Sequence, residues 1–159
     1  MHVRNVRSSD YDQLAPLINE WWGGRQMSDL LPKLFFDHFQ PTSFVIEKEN
    51  NIIGFLIGFL SQSNLKEAYI HFVGVHPEFR QHNVGSSLYE RFFKAVTFEN
   101  RDTVRAVTSP VNKASIAYHT KMGFEIVKGD RLVDRVPVHS NYDGEGKDRV
   151  LFVKKLRDE

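Results

Sequence analysis

The chain has 159 residues, with 21 Lys and Arg against 20 Asp and Glu and no cysteine. This length predicts a single domain over residues 1–159 with a substantial core, and a net charge of +1 argues against nucleic-acid binding through a strong basic field. The lack of cysteine excludes disulfides and thiolate metal sites, and because no signal peptide or membrane span is recognisable we expect a cytoplasmic protein without a membrane partner.

The N-terminal part of the chain predicts one strand and two helices. Val3 to Arg7 is a short strand candidate. Asp10 to Trp22 carries apolar residues at helical spacing, and Gly23-Gly24 ends this helix. A second helix is expected from Ser28 to Phe39, with Pro32 tolerated in its first turn.

The middle of the chain predicts an antiparallel meander. Its strands are Phe44 to Glu47, Ile52 to Leu60 and Ala68 to Val75. The second strand is almost wholly apolar, so we expect it to be buried on both faces.

The C-terminal half alternates between helices and strands. In chain order the elements are a helix at Val84 to Phe98, a strand at Thr103 to Thr108, a helix from Asn112 to Met122, and strands at Phe124 to Val127 and Val150 to Val153. The polar stretch from Lys128 to Arg149 is expected to be irregular, and such long connections are usually functional or mobile. This element order predicts a mixed α/β sheet with helices on both faces.

The stretch from Val73 to Leu88 carries the most chemical information, because a strand runs into a turn that opens a helix. The first amides of a helix have no internal partner and carry the positive end of its dipole, so they can bind a phosphate. Gly85 leaves room for close approach, and Asn83 tolerates a left-handed backbone. The Rossmann and Walker motifs are absent, and a helix start that needs an Asn cap and a small residue would give the same pattern.

This segment resembles the pyrophosphate-binding motif of the GCN5-related N-acetyltransferases (GNAT), [RQ]-x-x-G-x-[GA], which Arg80 begins and Gly85 ends. A second signature of that family is similar to Asn112 through Ile116, Tyr118-His119 and Met122-Gly123-Phe124. The resemblance covers nearly the whole chain. It implies the acyl-CoA N-acyltransferase fold: an α/β, mixed, mostly antiparallel central sheet of about seven strands, flanked by helices on both faces, with the fourth and fifth strands splayed.

The resemblance implies acetyl-CoA as cosubstrate and no metal. Backbone groups of Val73 and Val75 would pair with pantetheine, and the amides of Gln81 to Ser86 would hold the pyrophosphate. Gly74 between the two valines fits either a bulge or a close approach. The implied cofactor-binding residues are Val73, Val75, Arg80, Gln81, His82, Asn83, Val84, Gly85, Ser86, Asn112 and His119.

For the chemistry, the resemblance implies direct attack of an amine on the thioester, and His71 is the candidate base. It lies where the histone-acetylating branch of the family carries its Glu, and strand alternation predicts that it shares a face with Val73 and Val75. A core histidine satisfied by hydrogen bonds fits the same position. Glu67, Tyr69 and a water relay are the alternative bases.

Two residues are candidates for the acid that meets the departing thiolate. His119 stands where the family frequently has a catalytic Tyr, and helical spacing places it on the face led by Asn112. It could equally be a cofactor contact without a chemical role. Tyr118 is the alternative, although one helical step turns it roughly 100° away.

The acceptor site is implied near the first two helices and the polar C-terminal stretch. There Trp22, Tyr142 and Asp143 are the predicted substrate contacts, since acids hold and aromatics cover a cationic amine; a core Trp and a solvated turn fit these residues too. The predicted acceptor is a small-molecule amine. The alternatives are a protein lysine or N-terminus, and a non-catalytic acyl-CoA-binding module. A homodimer is expected only by family analogy.

Overall fold

The computed structural model describes residues 1–156, and a seven-stranded sheet in the order β1-β2-β3-β4-β5-β9-β6 forms its centre. The strands of this sheet are β1 His2–Asn5, β2 Phe44–Lys48, β3 Asn51–Leu60, β4 Glu67–Val75, β5 Thr103–Thr108, β6 Glu125–Ile126 and β9 Val150–Lys155. A separate hairpin joins β7 Arg131–Val133 to β8 Val136–Val138.

Helices cover both faces of the sheet and divide the core in two. They are α1 Asp10–Trp21, α2 Leu34–His38, α3 Val84–Phe98 and α4 Lys113–Lys121. Leu88 and Phe92 of α3 are fully buried on one side, and Leu14 and Ile18 of α1 on the other. The predicted mixed α/β sheet with helices on both faces is confirmed. Across residues 1–156, every helix falls short of the length and apolarity needed to cross a bilayer.

The parallel strands β4 and β5 separate halfway along their length. Their pairing runs from Glu67 opposite Thr103 to Ile70 opposite Ala106 and then stops, while β4 continues to Val75. The rest of β5 stays paired with β9. All other neighbours in the sheet are antiparallel. The expected splay is therefore present, and the space between the unpaired ends of these two strands is called the opening below.

The predicted helix from Ser28 to Phe39 is wrong as one continuous element. A 3₁₀ turn covers Ser28–Leu30, and α2 covers only Leu34–His38. Between them Leu31 has φ −134° and ψ 67°. The ring of Pro32 disfavours the helical conformation for the residue before it, so the chain leaves the helical region at this point.

The hairpin of β7 and β8 lies inside the stretch that we expected to be irregular. Its two-residue turn consists of Asp134 and Arg135, with φ 50° and 71°. Positive φ at both central residues is the geometry of a type I′ turn, which suits the twist of two antiparallel strands. Asp-Arg lacks the Gly or Asn that signals such a turn, so the sequence did not reveal it.

Candidate active site

The opening between β4 and β5 begins at a β-bulge. Opposite β3, the register passes from Ile57 paired with Phe72 to Gly58 paired with Ile70, so His71 is the extra residue. A bulge leaves one residue out of the ladder and re-aims the side chains around it. Because the β4–β5 pairing also ends at Ile70, the bulge and the start of the splay coincide.

The bulge directs His71 toward the side of the sheet that α1 and α2 cover. Its ring stacks on Phe35 with the centroids 4.4 Å apart. Val73 and Val75 pack instead against the core on the α3 side. The prediction that His71 shares a face with these two valines is therefore wrong, because the extra residue interrupts the alternation.

Backbone groups of Val73 and Val75 face the opening. The His76 N–H donates to Ile53 O of β3 at 2.8 Å. Neighbouring residues of a strand turn their backbone groups to opposite edges, so Val75, and Val73 two residues before it, face the edge that β5 has left. The Val75 carbonyl accepts a hydrogen bond from Arg80 Nε at 3.2 Å. For the Val73 N–H and carbonyl, no turn, loop or cap of residues 1–156 supplies a backbone partner.

A turn with unpaired amides opens α3. Asn83 is its N-cap residue, with φ 62° and ψ 20° in the left-handed region. The first helical hydrogen bond runs from Ser87 N–H to Asn83 O at 3.1 Å, so the amides before it lack a partner inside the helix. Within residues 1–156, the amides of this turn that have no backbone acceptor are those of Gln81, Asn83, Val84, Gly85 and Ser86. They can receive an anion such as a phosphate.

Two residues of the predicted phosphate-binding run are already engaged within the protein. The His82 amide donates to Phe79 O at 3.1 Å, so the prediction of free amides from Gln81 to Ser86 is wrong at this residue. The Arg80 guanidinium donates to Trp21 O at 2.8 Å. This carbonyl lies at the C-terminal end of α1, where the helix dipole favours a positive charge. Arg80 therefore ties α1 to the end of β4.

Tyr118 reaches the N-terminus of α3. A Cβ atom built on Gly85 would lie 2.8 Å from the Tyr118 hydroxyl oxygen, so a side chain at this position would have to displace the tyrosine. The hydroxyl is buried and has no hydrogen-bond partner among the described residues. Burial, with a smaller contribution from Glu90, raises the pKa of Tyr118. A buried unpaired hydroxyl destabilises the protein, and this one lies directly beside the first turn of α3.

His119 faces the core and is 8% exposed. Its Nδ1 lies 2.8 Å from Ser115 O, which can only accept, so we assign the proton to Nδ1. Nε2 then accepts from the Tyr89 hydroxyl at 2.9 Å. The ring also stacks on Phe152 at 4.5 Å, and burial lowers the pKa of His119. The Nδ1 bond stays within α4, whereas the Nε2 bond joins α4 to Tyr89 of α3. Both ring nitrogens are therefore engaged within the protein.

Asn112 caps α4, as the sequence indicates. Its Oδ1 accepts from the Ser115 N–H at 3.1 Å. The cap uses the oxygen and leaves the side-chain NH₂ as a donor for another partner. Asn112 is partly buried.

The hydrogen bond to Leu30 assigns one tautomer to the His71 ring. Nε2 lies 2.6 Å from Leu30 O, and because a carbonyl oxygen only accepts, the proton is assigned to Nε2. Nδ1 then carries a lone pair, and none of the hydrogen bonds of residues 1–156 uses it. Burial lowers the pKa of His71, so the ring stays neutral at neutral pH and can accept a proton at Nδ1.

Trp22 follows α1 and lies over the end of β4. Its ring packs edge-to-face with Phe72 at 5.1 Å. A Cβ atom on Gly74 would lie 2.9 Å from the Trp22 ring and closer still to Phe55. Gly74 is therefore a close approach, and the bulge is at His71 instead.

The loop after β8 carries Tyr142 and Asp143. Tyr142 packs edge-to-face with His139 at 6.2 Å, and Asp143 pairs with Arg149 at 2.8 Å. Both lie near Tyr69 of β4: burial first, and then these two groups, raise the pKa of Tyr69 to about 12. The loop is thus close to β4 two residues before the bulge.

Sequence reasoning missed the aromatic surroundings of His71. Phe35 of α2, Phe39 directly after this helix and Phe59 of β3 join Tyr69 and His71 in one set of touching rings. The spacing of Phe35 and Phe39 by four residues was the available signal, since such residues lie on one face of a helix.

Solved structures of similar fold include several acetyltransferases. Ard1 from Thermoplasma volcanium is 20% identical, with a TM-score of 0.77 over 99% of this chain and 98% of that chain. Naa20 from Chaetomium thermophilum, in complex with a bisubstrate analogue, is 20% identical, with a TM-score of 0.77 over 98% and 87%. Diaminobutyrate acetyltransferase EctA from Paenibacillus lautus, in complex with L-2,4-diaminobutyric acid and coenzyme A, is 21% identical, with a TM-score of 0.73 over 99% and 97%.

At these identities the likeness establishes a shared fold. No curated protein sequence matches the chain. A family model does: the acetyltransferase (GNAT) family matches residues 10–124. This span is most of the chain, and it includes the bulged strand β4, the turn that opens α3, and α4 with Tyr118. The chain therefore belongs to the acetyltransferase (GNAT) family.

Proposed function

We propose that this chain is a single-domain N-acetyltransferase, which transfers an acetyl group from acetyl-CoA to the primary amine of a small molecule in the cytoplasm. The observation that carries the proposal is the set of unpaired amides at the start of α3, beside the open edge of β4. A diphosphate accepts hydrogen bonds from such amides. An extended pantetheine can pair with Val73 and Val75 as an added strand. Tyr118 and the Asn112 amide would complete the cofactor contacts.

His71 would act as the base. An ammonium has no lone pair, so the amine must first lose a proton, and Nδ1 is the free acceptor on the ring. The imidazolium that forms keeps its Nε2–H bond to Leu30 O. The amine nitrogen then attacks the thioester carbon, and the carbonyl electrons move to an oxyanion that the Val73 N–H can stabilise.

Collapse of this intermediate would break the C–S bond and expel the CoA thiolate, and the acetylated nitrogen would release its second proton, through water, to the thiolate. Tyr118 is the group that we assign to it, because its raised pKa keeps the hydroxyl protonated at neutral pH and its hydroxyl has no other partner. It would donate a hydrogen bond to the sulfur as charge develops there. His119 would hold α4 in place and would not contact the reacting atoms.

The cofactor assignment is tested by Gly85→Glu. The new side chain would clash with Tyr118 and would place a negative charge where the diphosphate binds, so we expect acetyl-CoA binding to be lost in calorimetry. Thr97→Glu is the control, because it adds the same charge to an exposed position near the other end of α3. Intact binding by Gly85→Glu would refute the placement of the diphosphate.

The enzyme assignment is tested by free-thiol release from acetyl-CoA with a panel of amines. Thiol release with a small amine supports the proposal. Faster release with peptides would point to a protein lysine or N-terminus as the acceptor. Binding of acetyl-CoA without release by any amine would indicate a non-catalytic acyl-CoA-binding module.

A further inference from the structure

A continuous row of aromatic rings leads to the candidate base. Tyr69 stacks on Phe59, Phe59 contacts Phe39, and Phe39 contacts Phe35, each with the centroids 5.3 Å apart. Phe35 then stacks on His71 at 4.4 Å. All five side chains are partly exposed. This aromatic row lies on the α1–α2 side of the sheet and ends where β4 and β5 separate.

The ring planes of the aromatic row are stacked at its two ends and tilted in its middle. The interplanar angles from Tyr69 to His71 are 20°, 38°, 32° and 10°. A cation is attracted to the face of an aromatic ring, and the ring edge carries the opposite partial charge. Each of the three inner rings has ring neighbours on two sides, so much of the surface of the row is hydrocarbon in contact with hydrocarbon. The row is therefore an apolar surface rather than a box for a cation.

Exposed leucines extend this apolar surface. Leu30, whose carbonyl binds His71, is 52% exposed, and Leu34, which precedes Phe35, is 49% exposed. Large apolar side chains that are exposed together beside a site indicate a surface that binds an apolar partner.

Most carboxylates along the row belong to ion pairs. In β4, α2 and the loop after β8, the ion pairs are Glu67 with Arg105, Asp37 with Lys33, Asp143 with Arg149 and Asp148 with Arg131. Asp29 and Glu145 are the exposed carboxylates without an ion pair in the adjoining described segments, and they belong to different loops. The row thus offers little uncompensated negative charge for an acceptor with several ammonium groups.

We propose that the acceptor is a small monoamine with an apolar aryl or alkyl body, which packs along the aromatic row and presents its nitrogen to His71 Nδ1. The inference rests on the proposed acetyl transfer. Apolar contact supplies the binding energy, and the single ammonium loses its charge when His71 accepts its proton. A polyamine or an aminoglycoside would have to place further ammonium groups against this apolar surface without carboxylate partners, which costs binding energy.

The test compares amines in the thiol-release assay, with the acetylated product identified by mass spectrometry. The panel contains 2-phenylethylamine, hexylamine, spermidine, kanamycin and a peptide with a free N-terminus. We expect kcat/KM for the first two to exceed that of the others by about tenfold or more. Higher activity on spermidine, kanamycin or the peptide would overturn this inference and leave acetyl transfer standing. Thiol release with none of them would overturn both.

Two variants test the row itself. Leu34→Glu adds a carboxylate at an exposed position, and Phe39→Leu keeps apolar bulk but removes a ring. We expect each to raise KM for 2-phenylethylamine about tenfold, with acetyl-CoA affinity unchanged, and Leu34→Glu to improve spermidine as a substrate. Phe98→Glu is the control, since Phe98 is 84% exposed at the end of α3 on the other face. An unchanged preference among amines in both variants would refute the role of the row.

Discussion

His71 owes its proposed role to three local features: a bulge that turns it, a carbonyl that fixes its proton, and burial that lowers its pKa. Its candidacy was predictable from the sequence, but its direction was not. Exposure still alternates along β4 from Glu67 to Val75, so the pattern hides the extra residue. The bulge arises from pairing with β3, which strand periodicity alone does not encode.

Replacing His71 should affect turnover far more than cofactor binding. We expect His71→Ala to lower kcat about a hundredfold, within the usual range for a general base, with the acetyl-CoA Kd unchanged because the ring contacts Leu30 and Phe35 rather than the α3 turn. Because burial lowers the pKa of His71, kcat/KM of the natural protein should be level at neutral pH and decline only below about 6.5.

That acidic decline should disappear in His71→Ala. His38→Ala is the matched control, since His38 is an exposed histidine at the end of α2. Unchanged turnover of His71→Ala with a good amine would remove His71 from the mechanism.

Among the elements, those with strong local signals match their predicted bounds. The structure places α3 at Val84–Phe98 and β5 at Thr103–Thr108, as the apolar spacing and the flanking Asn and Pro residues indicate. The failures have local causes. Pro32 ends a helical turn that apolar spacing alone would continue, and the Asp134-Arg135 turn carries no residue typical of its geometry.

Two adjacent residues of α4 have different expected roles: Tyr118 assists the reaction, and His119 stabilises the fold. We expect Tyr118→Phe to lower kcat roughly tenfold or more without loss of stability, because the hydroxyl that it removes has no partner within the protein. We expect His119→Phe to lower the free energy of unfolding by about 1–3 kcal/mol, since it leaves the buried Tyr89 hydroxyl unpaired. Urea denaturation and kcat of the folded fraction measure both effects. Loss of turnover in His119→Phe at full stability would reverse these roles.

In the whole molecule, the separation of β4 and β5 lies between two sheet faces that carry different kinds of residues. The α3 face supplies unpaired amides and a tyrosine hydroxyl, which suit an anionic cofactor. The α1–α2 face supplies the aromatic row and a neutral histidine, which suit an apolar amine. The gap between β4 and β5 is where groups bound on the two faces would meet. Which residues face this gap depends on sheet register, so the sequence predicted the cofactor turn better than the acceptor surface.

Buried neutral histidines should also make the fold sensitive to mild acid. Burial lowers the pKa of both His71 and His119 from the ordinary value of 6.5, so below about pH 6.5 the unfolded chain binds more protons than the folded one. The free energy of unfolding therefore falls as the pH is lowered. Urea denaturation at about pH 7 and about pH 5.5 should show this loss. The Glu47 carboxyl does not contribute in this window, because Arg4 holds its pKa below the ordinary 4.5.

The comparison of variants identifies the source of the effect. His119→Phe, although less stable at neutral pH, should lose less of its remaining stability on acidification, because one of the two buried imidazoles is gone. His38→Ala removes an exposed histidine and should keep the full dependence of the natural protein. Equal pH dependence in all three proteins would mean that His119 does not resist protonation, and the assignment of its proton to Nδ1 and of its role as a neutral support would then fail.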